Sequence, residues 1–280
     1  MGKDLFPAYP DHVATASQLL GYSVADLCLQ DDGGRLRLTQ FTQPALYVVN
    51  ALEYLRMADA SGGTLRPDWF AGHSLGEFNA LLAAGAFDFA TGLRLVQKRG
   101  ELMAAANGGA MAAVLGPRTE ELEELLQRWE LQGIDIANLN TPTQHVIAGS
   151  AEAIAQAAQR FAGQPGLRFA PLNVSAAFHS RHMQAAQQEF AAFMRGIAFA
   201  PPAVPVVANA TARPYEPDAI AETLALQIAS PVRWTDSIRW LLGQGVEEFT
   251  EAGNNGRNFG GDVLTKMVDA IKKSEAPLFA

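Results

Sequence analysis

A serine set between two glycines leaves this chain few folds to choose from. Gly72-His73-Ser74-Leu75-Gly76 stands where the pattern switches from strand to helix. Asp68-Trp69-Phe70-Ala71, opened by Pro67, is a short apolar run of strand character. After Gly76, Phe78, Leu81 and Leu82 recur at helical spacing until Gly85 closes the run just before Phe87. Gly-x-Ser-x-Gly at such a junction is the nucleophile-elbow pattern. The turn is tight, so small residues must flank it wherever a side chain would clash. The serine hydroxyl is pushed into the open ahead of a helix N-terminus. The free N–H groups and positive dipole end there suit the oxyanion of an acyl-transfer intermediate. A chance glycine-rich turn accounts for the five letters, but less well for the strand before them and the helix after.

The chain of 280 residues is long enough for one large core, or a domain and a half. Its 49% hydrophobic and 18% charged content is that of an ordinary soluble globular protein. The formal charge, 21 − 29 = −8, argues against a general nucleic-acid or membrane-surface binder. Cys28 is the single cysteine, which rules out an internal disulfide and fits a reducing compartment. The first residues, Met1 to Phe6, carry no apolar signal region, and nothing approaches the length of a membrane span. The expectation is a cytoplasmic, monomeric protein.

Along the chain, the pattern predicts helix within 8–30, with Val13, Ala16, Leu19 and Leu20 on one face. A second helix is expected from Pro44, its buried stripe Leu46, Val49, Leu52 and Leu55. A third runs from Phe89 to about Ala106. Asn107-Gly108-Gly109 then changes the texture. Met111–Leu115, Ile134–Leu139, His145–Ala148 and Leu167–Val174 read as strands, with helices over Thr119–Glu130 and Ala151–Phe161. The order βαββαβ is the ferredoxin-like arrangement, here an inserted subdomain over 109–175, between halves at 1–108 and 176–273. Beyond it come helix Ser180–Met194 (Met183, Ala186, Phe190 and Phe193 inward), strand Val204–Ala208, and helices Ala219–Ile228 and Trp234–Leu242. Val246–Glu251 reads as a strand into a Gly/Asn-rich loop, Gly253–Gly261, followed by helix Val263–Lys273 and a flexible tail, 274–280.

A serine nucleophile needs a base, and there are five histidines. His12 reads as a solvated residue, His145 as a satisfied strand histidine, and His73 as structural or pocket-lining, because it adjoins the nucleophile. His179 follows the strand-like run Leu172–Ser175 and two alanines, in a loop at a strand end, the usual place for a catalytic group on a rigid scaffold, and His182 competes with it from the start of a helix. Arg94, Lys98 and Arg99 share one helix. An arginine in an apolar pocket has one good use, bidentate recognition of a carboxylate, but position alone does not separate the three. No cluster of ligand-type residues implies a metal.

Together these stretches resemble the malonyl-CoA:acyl-carrier-protein transacylase family, most of all the discrete acyltransferases of trans-acyltransferase polyketide synthases. The likeness is carried by TQFTQPAL (39–46), GHSLGE (72–77), QKRGELM (97–103), IANLNTPTQHVIAG (136–149), NVSAAFHSRHM (173–183), VVANATARPY (206–215) and QIASPVRW (227–234). The resemblance implies an α/β fold, with an α/β-hydrolase-like large domain carrying the ferredoxin-like insertion. It implies Ser74 as nucleophile, His179 as base, the Leu75 amide in the oxyanion hole, and Arg99 on the malonyl carboxylate. The Gln227 carbonyl would orient the histidine in place of a triad aspartate. Phe178 would select malonyl over methylmalonyl, and His73, Asn138, Asn140 and Met103 would line the pocket. Malonyl-CoA is then the donor, a phosphopantetheinylated acyl carrier protein the acceptor, and no cofactor is permanently bound.

Two departures stand out. Family members open with a strand and a Gly-Gln-Gly-Ser-Gln loop that helps form the oxyanion hole, and that segment is missing from the sequence as written. Gly253–Gly261 is longer than the family's turn. The alternatives are an acyl hydrolase that clears stalled carrier proteins, against which Arg99 counts, and a non-catalytic docking module.

Overall fold

In a computed structural model of the protein, residues 1–252 and 262–275 are described. Helix α1 (Pro10–Leu20) ends at Gly21, whose φ of 75° supplies the left-handed cap, and α2 (Val24–Leu29) restarts behind Ser23, whose side chain accepts from the Asp26 amide. Helix α3 (Thr39–Ala60) begins five residues earlier than Pro44. The Leu38 carbonyl accepts from the Phe41 and Thr42 amides and nucleates a turn before the proline is reached, so Pro44 lies inside the helix. Val49 and Leu52 are buried as expected, but Tyr47 and Val48 accompany them while Leu46 and Leu55 stay half-buried. The helix at Phe89–Ala105 packs along that face and covers it.

Strand β1 (Phe70–Ala71) leads through the elbow into α4 (Gly76–Ala83), and Asp88 then caps α5 (Phe89–Ala105) by accepting from the Thr91 amide. The inserted unit follows as β2 (Gly109–Leu115), α6 (Thr119–Arg128), β3 (Ile134–Thr141), β4 (Gln144–Ser150), α7 (Ala151–Phe161) and β5 (Arg168–Pro171). Pairing is antiparallel throughout, in the order β3-β4-β2-β5. That is the split arrangement that βαββαβ dictates. The β3–β4 turn is only Pro142-Thr143, because Asn140 and Thr141 remain in the strand, and β5 is shorter than 167–174. The sheet is covered twice: Ile147, Ala112 and Val114 pack on α6 and α7, whereas Met111, Ala137, Val146 and Ala148 meet Ala177 and Phe178. Burial on both faces accounts for strands that read as nearly unbroken apolar runs. Gly109 is required where β2 grazes the chain, since a Cβ there would lie 2.3 Å from the Ala177 nitrogen.

After a single 3₁₀ turn (Arg181–Met183) come α8 (Gln184–Met194), β6 (Val206–Val207), α9 (Ile220–Leu226), α10 (Trp234–Gly243) and α11 (Val263–Glu275). In α8, Met194 rather than Phe193 turns inward, and Phe193 is 38% exposed. Outside the insertion, the parallel pair β1–β6 is the whole of the sheet among the described residues, so this α/β protein is dominated by helices. Val246–Glu251 joins no sheet among the described residues, and Val246 and Phe249 pack instead against the α10–α11 cluster. Helix α11 continues past Lys273 to Glu275. Gly253–Gly261 and 276–280 lie outside the described residues. No helix among the described residues is long and apolar enough to cross a membrane.

Two contacts lock the insertion to the larger body beside the site. The Leu139 amide donates to the Val232 carbonyl (2.9 Å) and the Val232 amide to the Ala137 carbonyl (2.8 Å), extending β3 by a parallel bridge. Asp135 on β3 takes the Arg181 Nε–H (2.8 Å) and backbone amide (2.8 Å), so the chain just beyond His179 is tied to the sheet.

Candidate active site

Ser74 sits between β1 and α4 with φ = 51°, a left-handed conformation that few non-glycine residues adopt. Gly72 makes the turn passable, because a Cβ there would lie 2.0 Å from the Gly76 carbonyl group. Asn209 holds the turn shut: its Oδ1 accepts from the Ser74 amide (2.6 Å), and its Nδ2 donates to the Gly72 carbonyl (2.7 Å). The Gly76, Glu77 and Phe78 amides donate to the carbonyls of His73, Ser74 and Leu75. The Leu75 amide donates to no described residue, which leaves it free at the helix N-terminus.

Ser74 Oγ lies 2.7 Å from His179 Nε2. The Gln227 carbonyl is 2.9 Å from His179 Nδ1 and can only accept, which assigns the proton to Nδ1 and leaves Nε2 to accept from the hydroxyl. His179 itself has φ = 56°, so a strained backbone on each side brings the hydroxyl and the imidazole together. Burial, followed by the nearby Arg99 charge, lowers the imidazole to about 3, so it is neutral at physiological pH.

Arg99 is 1% exposed at the centre of the cluster. Its Nη1 donates to Gln43 Oε1 (2.6 Å), and its Nη2 to Ser74 Oγ (3.0 Å) and Gln227 Oε1 (3.0 Å). Its Nε, fully buried, has no hydrogen-bond partner. Burial lowers this guanidinium to about 10, with the Glu77 charge opposing the shift. Glu77 on α4 is equally buried. It accepts from the Gln227 Nε2 (2.5 Å), the Asn209 amide (3.2 Å) and the Tyr215 hydroxyl. Burial pushes its carboxyl up to about 7, against those three hydrogen bonds and the Arg99 charge.

The other candidates fall around this centre. His73 Nε2 is 2.8 Å from Asn140 Oδ1, with Asn138 next to it at 3.5 Å and the Trp234 ring at 5.6 Å. Burial lowers the His73 imidazole, with the Asn140 hydrogen bond opposing the shift. Met103 is buried, its sulfur accepting from Gln43 Nε2 at 3.2 Å. Phe178, half-buried, adjoins His179 and packs on both cores. His182 is exposed on the 3₁₀ turn, away from Ser74. Arg94 is exposed and Lys98 half-buried, so of the three cations Arg99 alone reaches the serine. His145 is fully buried, with Nε2 3.2 Å from the Pro117 carbonyl, and His12, expected in solvent, packs edge-on to Phe89 at 5.1 Å. A groove of about 610 Å³ runs from His179 and Ser180 past Arg181 and Ile136 to Leu126. No local pattern in the sequence singles out Gln43, Glu77, Asn209 or Tyr215 as site residues. Each lies in a stretch that carries the family resemblance, but Glu77 and Tyr215 are 138 residues apart, and nothing local joins them.

Comparison with known proteins agrees with this architecture. The family description "Acyl transferase domain" matches residues 4–252. The chain is 50% identical over 273 residues to the polyketide biosynthesis malonyl CoA-acyl carrier protein transacylase BaeC of Bacillus velezensis, covering 97% of this chain and 92% of that protein. It is 51% identical to the polyketide biosynthesis protein ThaF of Burkholderia thailandensis, where 99% of this chain corresponds to only 23% of a much longer protein. The solved structure of malonyl CoA-acyl carrier protein transacylase from Burkholderia pseudomallei superposes with a TM-score of 0.91 at 51% identity, over 98% of this chain and 93% of that one.

Proposed function

The chain belongs to the acyl transferase family, and on that footing we propose that it carries a malonyl unit from malonyl-CoA, through an ester on Ser74, to the phosphopantetheine thiol of an acyl carrier protein in polyketide biosynthesis. One observation carries the choice of a dicarboxylic acyl group. A guanidinium lies within hydrogen-bond reach of the nucleophile, buried to 1% exposure, with one N–H unpartnered. Burying such a charge costs too much for a site meant only for neutral acyl chains. A carboxylate taking the Nε and Nη2 protons as a fork satisfies it.

The chemistry is a two-step displacement. His179 Nε2 accepts the Ser74 Oγ proton as the oxygen attacks the thioester carbonyl. The oxyanion faces the Leu75 N–H. The C–S bond breaks, CoA sulfur takes the proton back from the imidazolium, and the malonyl-serine ester remains. The pantetheine thiol of the carrier then gives its proton to the same Nε2 and attacks the ester, and Ser74 leaves with that proton restored. The Gln227 carbonyl stabilises the imidazolium through Nδ1–H, the office of the aspartate in a hydrolase triad. Once the malonyl carboxylate has paired with Arg99, its positive charge no longer holds the base down. The correct substrate thereby strengthens the base that acts on it.

The test is acylation by malonyl-CoA followed by a chase with phosphopantetheinylated carrier protein. Transfer of the label to the carrier supports the proposal. Rapid loss to water would make the protein a hydrolase, and absence of label a docking module; either would overturn it.

A further inference from the structure

The mechanism makes no use of Glu77, although it is a carboxylate buried within two bonds' reach of the whole site. We infer that Glu77 is a positioning residue, acting through the Gln227 amide on the Arg99 clamp and on the Ser74–His179 pair together. The inference rests on the acyl-transfer reading above.

The argument is one of donors and acceptors. A carboxylate only accepts and a guanidinium only donates. The Gln227 side chain lies between them, with Nε2 on Glu77 at 2.5 Å and Oε1 on Arg99 at 3.0 Å. Because its two ends differ, the amide has a single satisfied orientation, and Glu77 and Arg99 jointly enforce it. In that orientation the same Nε2 also donates to the Ser74 carbonyl (2.8 Å). The backbone carbonyl of the same residue takes the His179 Nδ1–H at 2.9 Å. One locked glutamine therefore registers clamp, nucleophile and base to a common frame. Glu77 is in turn fixed by the Tyr215 hydroxyl and the Asn209 amide, whose side chain closes the elbow.

Removing the charge without changing the shape breaks this logic. In Glu77→Gln, the new amide must still accept from Tyr215 and Asn209. It then turns an N–H toward the Gln227 Nε2, and the two donors repel. Turning Gln227 over relieves that contact but points a donor at Arg99. Either way the clamp loses its register.

The experiment is competitive acylation of Ser74 from mixed malonyl-CoA and acetyl-CoA, read by intact-protein mass between about pH 5.5 and about pH 8.5, with thermal unfolding in parallel. The charged and titratable groups facing Glu77 are Arg99 from α5 and Tyr215 from the segment after β6, and His179 lies beyond Gln227. Arg99 near 10, Tyr215 well above 10 and His179 near 3 all lie outside that window. Wild-type malonyl preference should fall about tenfold, or about 1.4 kcal/mol, as pH drops through about 7. Glu77→Gln should show the reduced preference at every pH, with no such step. If that variant does not fold, Tyr215→Phe carries the test. Loss of its hydroxyl raises the Glu77 carboxyl further, so the step should move to higher pH. A purely structural role predicts a lower melting temperature with the wild-type preference and step intact, and that result would overturn the inference alone. Wild-type protein that takes no malonyl label would overturn the proposed function, and this inference with it.

Discussion

Replacing Arg99 should invert the acyl preference of the site. The guanidinium offers a substrate carboxylate its unpartnered Nε and the Nη2 now resting on Ser74 Oγ. Hydrogen bonds between charged groups contribute about 1.5–3 kcal/mol. At about 1.4 kcal/mol per tenfold, Arg99→Ala should weaken malonyl against acetyl by roughly ten- to a hundredfold. A second effect has the same sign. The Arg99 charge helps to depress His179, so its removal lets the base recover and acetyl transfer improve. The variant also strands Glu77 in the interior, and that carboxyl should answer by holding its proton to still higher pH. Arg99→Lys separates charge from geometry: it keeps the cation, loses the fork, and should fall between wild type and alanine. The assay is acylation from an equimolar mixture of malonyl-CoA and acetyl-CoA, scored by the mass of the adduct. An Arg99→Ala protein with undiminished malonyl preference would refute the carboxylate clamp.

Three further outcomes follow from the same contacts. His179 is depressed from 6.5 to about 3, so its contribution to stability is complete above about 6.5 and is lost as pH falls toward 3. Between pH of about 7 and about 4.5, wild type should therefore lose roughly 2–3 kcal/mol more stability than His179→Ala, and parallel denaturant titrations showing equal losses would contradict it. Asn209→Ala leaves the Ser74 amide and Gly72 carbonyl without partners, at about 1–3 kcal/mol per buried group. Its melting temperature and acylation rate should both fall while the malonyl-to-acetyl ratio holds, and an unchanged melting temperature would rule out this support of the elbow. Phe178→Ser opens space beside His179 and should admit methylmalonyl-CoA with little cost to malonyl-CoA; continued exclusion of methylmalonyl in the same competition assay would place the selecting bulk elsewhere.

Much of the fold is legible wherever local rules and burial agree. The elbow, α4 and α5 follow from glycine placement and helical spacing, and the insertion is read nearly strand for strand because short turns separate its apolar runs. The misreadings occur where tertiary contacts override local signals. Pro44 looks like a helix start, yet the Leu38 carbonyl opens the helix earlier. Val246–Glu251 has strand composition, but its apolar residues find α10 and α11 instead of a sheet edge. The site divides in the same way. Spacing brings Ser74 forward but leaves His179 beside His182 and Arg99 beside Lys98, because selection among them depends on which side chains converge across 105 and 25 residues of chain. Family resemblance breaks those ties. Glu77, Asn209 and Tyr215 lie in motif stretches, but no local pattern gives them a role, since their hydrogen bonds to one another span more than 130 residues.

The central claim is that Ser74, activated by His179, carries a dicarboxylic acyl group as a covalent ester. Peptide mapping after brief exposure to malonyl-CoA tests it most directly. The account predicts one malonyl adduct, confined to the peptide containing Ser74, absent from Ser74→Ala and strongly slowed in His179→Ala. A malonyl adduct that persists at full yield in Ser74→Ala, on any other residue, would contradict it.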